Sequence, residues 1–223
     1  MKMKTGIRIL TVLTLVLLLA FAASAAGETV ISDAASLSAL MGNSAAWGGS
    51  YKLGADIDLT GTAQDPIGTY ETPFTGSFDG NGYTISNCTI DTTLYSGGTG
   101  TAGCVGLFGE VTGTGRNLRV ENIRINAQNN FKGTSEIPTK LYAGAIAGYV
   151  NGGSLLYCPV LNSSVSAAHN GDYGVCHAGG VVGSAENATL TNLVCRDTSV
   201  SAYAKHESTV SDYEGQFAHP GDP

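Results

Sequence analysis

The residues of this chain best placed to do chemistry are carboxylates on alternate positions. Asp56 and Asp58 fall on one face of a strand, and with Asp79, or with Asp65 from a nearby loop, they supply the hard oxygen donors that calcium takes. No regular metal-binding loop repeats with them, and a hairpin-type turn explains Asp79-Gly80-Asn81-Gly82 equally well. Other constellations stop short of a site. His206-Glu207 opens a zinc-protease motif, but Val210 stands where the second ligand belongs. Cys176-His177 is a pair whose companions, Cys158 and His169, lie at no ligand spacing. Gly98-Thr-Gly100-Thr-Ala-Gly103 fits a dinucleotide fingerprint by letter, with no helix after it to receive a phosphate. No serine sits in a Gly-x-Ser-x-Gly elbow. Acid-base work on a polysaccharide would need the Asp56/Asp58 strand to share a wall with Arg116. Arg116, Arg119 and Arg124 fall in a single repeat, where a solvated face accounts for them. The chain is therefore read as non-catalytic, without a cofactor, with a carbohydrate-active enzyme or its accessory domain as the alternative.

These side chains sit on a repeating frame. A small-apolar-glycine box recurs at Cys104-Val-Gly-Leu-Phe-Gly109, Ala143-Gly-Ala-Ile-Ala-Gly148 and Ala178-Gly-Gly-Val-Val-Gly183, with periods of 39 and 35 residues between box ends. Each box precedes the same strand-like tail. Leu118 aligns with Cys158 and Leu193, Val120 with Val160 and Cys195, Asn122 with Asn162 and Asp197, and Ile125 with Val165 and Val200. A partial earlier copy runs through Tyr83, Ile85, Cys88 and Ile90. Periods of this size mark a stack in which each repeat buries its apolar face on its neighbours. Leu107, Phe108, Ile146, Val181, Leu118, Val120, Val160 and Leu193 are the expected core, with Leu107, Ile146 and Val181 in one column. Asn122, Asn162 and Asp197 form a side-chain ladder.

Along the chain, Met1 to Arg8 is basic and an apolar run from Ile9 to Ala23 ends in Ala23-Ser24-Ala25, the pattern of a secretory signal peptide over residues 1–25. The run is shorter than a membrane anchor requires. Its removal takes Lys2, Lys4 and Arg8, leaving 8 basic against 18 acidic residues, a net charge of −10 that repels nucleic acid and anionic membrane. Residues 26–50 read as an N-terminal cap: Ser32 caps a short helix from Asp33 to Met41, with Leu37, Leu40 and Met41 on one face and Gly42 as its stop. Tyr51 to Leu59 alternates as the first strand. The repeat region covers 51–203, with loops over 94–103, 127–139 and 167–177, and a polar tail fills 204–223. No comparable cap follows, so the array is read as a fragment or as one that stacks onward on a partner. Cysteines 88, 104, 158, 176 and 195 are odd in number, and Cys88, Cys158 and Cys195 occupy core positions as small apolar residues.

With its order of motifs in view, the chain resembles the bacterial GLUG-repeat proteins. Gly106-Leu-Phe-Gly109 matches the signature, the later boxes are variants of it, and the lead-in Tyr51 to Leu59, Pro66-Ile-Gly68 and Pro73 to Gly82 also matches, so the similarity covers about residues 30–200. The resemblance implies an all-β chain, a right-handed parallel β-solenoid with a short N-terminal capping helix, in a secreted or cell-surface adhesin-like protein, and it carries over no catalytic residue. Loops then carry function while strands carry packing. The expected contact residues are Tyr95, Phe131, Lys132, Lys140, His169, Asp172 and Tyr173, facing a host protein, a glycan or further copies of the chain.

Overall fold

The computed structural model describes residues 27–94, 102–134 and 137–205; the expected signal peptide, Tyr95 and nearly all of the polar tail lie outside them. Strand β1 (Thr29–Ile31) comes first, then helix α1 (Ala34–Met41), β2 (Ser50–Leu53) and β3 (Ile57–Asp58). Three five-stranded rungs follow. The first is β4 (Ser77–Asp79), β5 (Thr84–Ser86), β6 (Thr89–Leu94), β7 (Ala102–Val105) and β8 (Phe108–Val111). The second is β9 (Thr114–Arg116), β10 (Arg119–Glu121), β11 (Arg124–Asn129), β12 (Thr139–Gly144) and β13 (Ala147–Asn151). The third is β14 (Ser154–Leu156), β15 (Pro159–Leu161), β16 (Ser164–His169), β17 (Gly174–Gly179) and β18 (Val182–Glu186). A partial last rung holds β19 (Thr189–Thr191), β20 (Val194–Arg196) and β21 (Ser199–Ala204).

Each strand pairs in parallel with its counterpart one rung away, which gives five sheets running along the stack: β1-β2-β4-β9-β14-β19, β3-β5-β10-β15-β20, β6-β11-β16-β21, β7-β12-β17 and β8-β13-β18. The chain is thus nearly all parallel β-sheet, in a β-helix-like stack. The tail alignment holds in register: Val120 opposes Ile85 and Val160, Val160 opposes Cys195, and Ile125 opposes Ile90 and Val165. Leu107 and Ile146 are fully buried in one core, and Val181 packs half-buried against it. Phe108, Leu118, Val120 and Val160 are buried there too, while Leu193 packs at its margin.

The boxes need one correction. Val105, not Cys104, lies opposite Ala143, whereas Phe108 lies opposite Ala147, so the first box is one residue shorter than the second. Their glycines do not bend the chain through positive φ. A Cβ on Gly148 would run into the backbone at Val105, and one on Gly183 into the backbone at Ala143, so glycine is required where two strands meet backbone to backbone. Left-handed corners fall instead to asparagine. Asn87, Asn122, Asn162 and Asp197 have φ of 57, 53, 48 and 51°, and Asn117, Tyr157 and Asn192 make a second column at 50, 55 and 53°. The expected side-chain ladder is seen only in its first step, where Asn122 Nδ2 donates to Asn87 Oδ1 at 2.6 Å; Asn162 Nδ2 turns instead to Glu121 Oε1 at 3.1 Å.

Other expectations shift at element ends. The helix N-cap is Asp33 rather than Ser32, because its carboxylate takes the Ser36 amide at 2.7 Å in a reciprocal capping box. Leu37, Leu40 and Met41 do face the core. The cap region also holds β1, which adds to the first sheet beside β2. Tyr51 to Leu59 keeps its alternation of burial but divides into β2 and β3, which belong to different sheets. Asp79 to Gly82 is a corner between two parallel sheets, not a hairpin. The three loops are shorter than expected, since β6, β11 and β16 run in register to Leu94, Asn129 and His169.

At the far end, Leu190 and Val200 oppose the buried Leu155 and Val165 yet are exposed, because no further strand lies on them among the described residues. Cys195 shares that position and is exposed, which corrects its assignment to the buried core; it still packs beside Gly180. All five cysteines are free thiols. Burial pushes Cys88 up to about 12, so it stays a protonated, inert thiol.

Two outcomes follow from this packing. Tyr157 is a bulky residue held at positive φ with 57% of its surface exposed, so Tyr157→Asn should raise the unfolding free energy by about 1 kcal/mol, read as a higher Tm in thermal melts. Alkylation with iodoacetamide in native buffer should mark Cys195 and leave Cys88 and Cys158 unmarked until denaturant is added, as mass spectrometry of peptides would show.

Candidate functional site

The carboxylates singled out by their spacing are used by the frame. Asp56 Oδ1 accepts the Thr84 amide at 2.7 Å. Asp58 Oδ1 accepts from the Thr60 amide and hydroxyl and from Asn87 Nδ2, and these bonds hold its carboxyl below the usual range. Asp79 accepts from Arg116 Nε at 2.8 Å, from the Asn81 amide and from Asn117 Nδ2; its net shift is also downward, although burial opposes it. They serve three separate corners. Among the described residues no group of three or more His, Cys, Asp or Glu side chains converges, so the calcium assignment to Asp56, Asp58 and Asp79 is replaced by a structural one.

The expected contact residues scatter. His169 is 0% exposed, with Nε2 2.7 Å from Thr139 Oγ1 and Nδ1 3.2 Å from the Gly171 carbonyl oxygen. Burial lowers its pKa, Nδ1 donates to the Gly171 carbonyl, and the ring braces a loop instead of meeting a ligand. Lys132 pairs with Asp172 at 2.7 Å. Lys140 is exposed on β12, and Tyr173 is exposed at φ 54°. Phe131 borders a cavity.

That cavity, about 460 Å³ and partly enclosed, draws its walls from several stretches remote in sequence, including β6 and the start of β12 through Thr92, Leu94 and Thr139. The end of α1 and the turn after it bring Met41 and Trp47; the loop between β3 and β4 brings Asp65, Tyr70 and Glu71; the facing edge of β7 brings Cys104; and the stretch after β11 brings Phe131. The loop is held down by parallel bridges from Ile67 to Phe108 and from Phe74 to Val111, with the Phe74 amide donating to the Glu110 carbonyl at 2.9 Å. Trp47 is fixed by its indole N–H on the Leu40 carbonyl at 2.9 Å. The volume is in the range of small-molecule sites, and its walls join aromatic surface to a few polar groups.

Cys104 connects the cavity to a small cluster on the outer faces of β12 and β13. Tyr142 and Tyr149 stack at 5.1 Å, His177 lies 5.2 Å from Tyr142, and Tyr149 donates to Glu186 Oε2 at 2.7 Å. Burial, the Glu186 hydrogen bond and its charge all push the Tyr149 phenol up. Glu110 shares this face, opposite Tyr149 in register. It is 3% exposed, its Oε1 accepts from Asn151 Nδ2 at 3.3 Å, and its Oε2 has no hydrogen-bond partner. Burial raises its pKa and the Glu71 charge adds to that, while Asn151 opposes it. Burial, Glu110 and Glu71 together push the Cys104 thiol up as well. Sequence reasoning passed over Trp47, Tyr70, Glu71, Cys104 and Glu110 as site residues. The available signal was the chain's single Trp and the Tyr-Glu pair set between Pro66 and Pro73.

No protein-family profile matches the chain. Halomucin of Haloquadratum walsbyi is 34% identical over 152 residues, covering 60% of this chain and 2% of that protein, so the chain spans only a small fraction of the relative's length. The crystal structure of a candidate immunoglobulin A1 protease from Bacteroides ovatus aligns over 79% of this chain and 84% of that one, with 15% identity and a TM-score of 0.33, too low to carry an argument. No helix among the described residues is long and apolar enough to cross a membrane.

Glu110 gives the site a pH signature. A carboxyl whose folded pKa is raised favours folding below its unfolded pKa, and that contribution is lost as pH rises through the folded value. Glu110→Gln should therefore raise Tm at about pH 8 and leave it nearly unchanged at about pH 4, as paired thermal melts would show.

Proposed function

We propose that the chain is a non-catalytic binding module of an exported protein, acting at a cell surface or in the medium, and that its ligand-bearing part is the cavity beneath the Pro66–Phe74 loop. In this reading the stack is a closed, right-handed β-solenoid of the GLUG-repeat kind, and the partner is a host glycan or protein. The observation that carries it is the cavity itself: a partly enclosed space of about 460 Å³ with aromatic and acidic walls, on a frame whose other polar residues are tied into corners and ladders. The basic-then-apolar N-terminal pattern supports export. The match to a stretch forming 2% of Halomucin supports a module that serves as a small part of a much larger protein.

The test is retention of the purified protein on a panel of immobilised glycans and host-cell surface proteins, compared with Tyr70→Ala and Phe131→Ala. Each substitution removes an aromatic wall without touching a strand, and should weaken capture about tenfold. Capture that both variants retain at full strength would place the binding surface elsewhere and overturn this assignment.

A further inference from the structure

The cavity has a sign. Among the described residues its walls carry no Lys, Arg or His, and their charged groups are Asp65 and Glu71. The ion pairs formed among the described residues join Lys52 to Glu28, Arg116 to Asp79, Arg119 to Glu121, and Lys132 and Lys205 to Asp172, so none reaches Asp65, Glu71 or Glu110. Glu110, 3% exposed and with an unpartnered Oε2, lies within electrostatic reach of Glu71 and of Cys104, both of which line the cavity. A ligand entering this space dries the wall carboxylates. An anion would be repelled, and a neutral ligand would leave the charges without compensation. A cation restores the balance.

The rest of the wall describes the body that carries the charge. Trp47, Tyr70 and Phe131 offer aromatic surface, which attracts both a ring's C–H face and an ammonium group, while Ser44, Thr69 and Thr92 offer hydroxyls. Too few carboxylates converge for a bare metal ion. We propose that the cavity binds a protonated amino sugar, its ring against Tyr70 and Phe131 and its ammonium between Asp65 and Glu71. This assignment rests on the binding role of the cavity and names the ligand class within it.

Isothermal titration of the full chain with short glucosamine oligomers, at a mildly acid pH where primary amines are protonated, tests it against N-acetylglucosamine and glucose oligomers of equal length. The amine series should bind about tenfold or more tightly than either neutral series, and its advantage should shrink as salt is raised. Glu71→Gln, an exposed loop position, should remove about tenfold of that affinity with an unchanged Tm. Neutral oligomers binding as well as the amine series, with Tyr70→Ala weakening both, would overturn the amine while the cavity's binding role stands. A lysine-rich peptide binding as tightly as the glucosamine oligomers would overturn the sugar. Absence of binding by all three series overturns the proposal, and panel capture indifferent to Tyr70→Ala and Phe131→Ala overturns the underlying role as well.

Discussion

Backbone meeting backbone at the glycine boxes is the contact on which the rest of the stack depends. At Gly106, Gly144, Gly148 and Gly183 a single added carbon would strike main-chain atoms of an adjoining strand. That closeness lets the strand after one box lie against the strand before the preceding box, and Leu107, Ile146 and Val181 reach a common core from successive rungs. Register then follows. A one-residue slip would turn Val120, Val160 and Ile125 outward, so burial on one face and parallel hydrogen bonding enforce the same pairing.

Much of this was legible in the residues. The tail alignment rests on alternating apolar positions, and a period of 2 survives into the structure wherever strands are stacked, as at Val120, Val160 and Cys195. Box geometry was less legible, because glycine serves both tight bends and close approach and the letter does not say which. Here asparagine takes most of the left-handed corners, with glycine at a few such as Gly82 and Gly152, while the box glycines serve the close contacts. Loop lengths were misjudged for a related reason. Small and polar residues read as loop formers, yet β11 and β16 extend through Ala127-Gln-Asn129 and Ala167-Ala-His169 because a paired strand in the neighbouring rung satisfies their backbone groups.

The cavity was not legible, and its construction explains why. Trp47, Tyr70, Cys104 and Phe131 come from four separate stretches with no shared spacing, so only the stacked frame brings them together. Conversely, the carboxylates whose spacing was most suggestive, Asp56, Asp58 and Asp79, each hold a corner. Polar residues that recur with the repeat maintain it, while those outside the repeat are available for other work.

The direction of the inter-rung hydrogen bonds has a mechanical meaning. They run along the length of the stack, and the described chain enters at its first rung and leaves at its last. Tension between those ends pulls such bonds open in line rather than shearing whole sheets past one another, so rungs detach in sequence. With 35 to 40 residues between equivalent strands of successive rungs, each one released adds about 120 to 140 Å of extended chain. A tether of this design yields stepwise under load, dissipating work at every step before its ends transmit the full force.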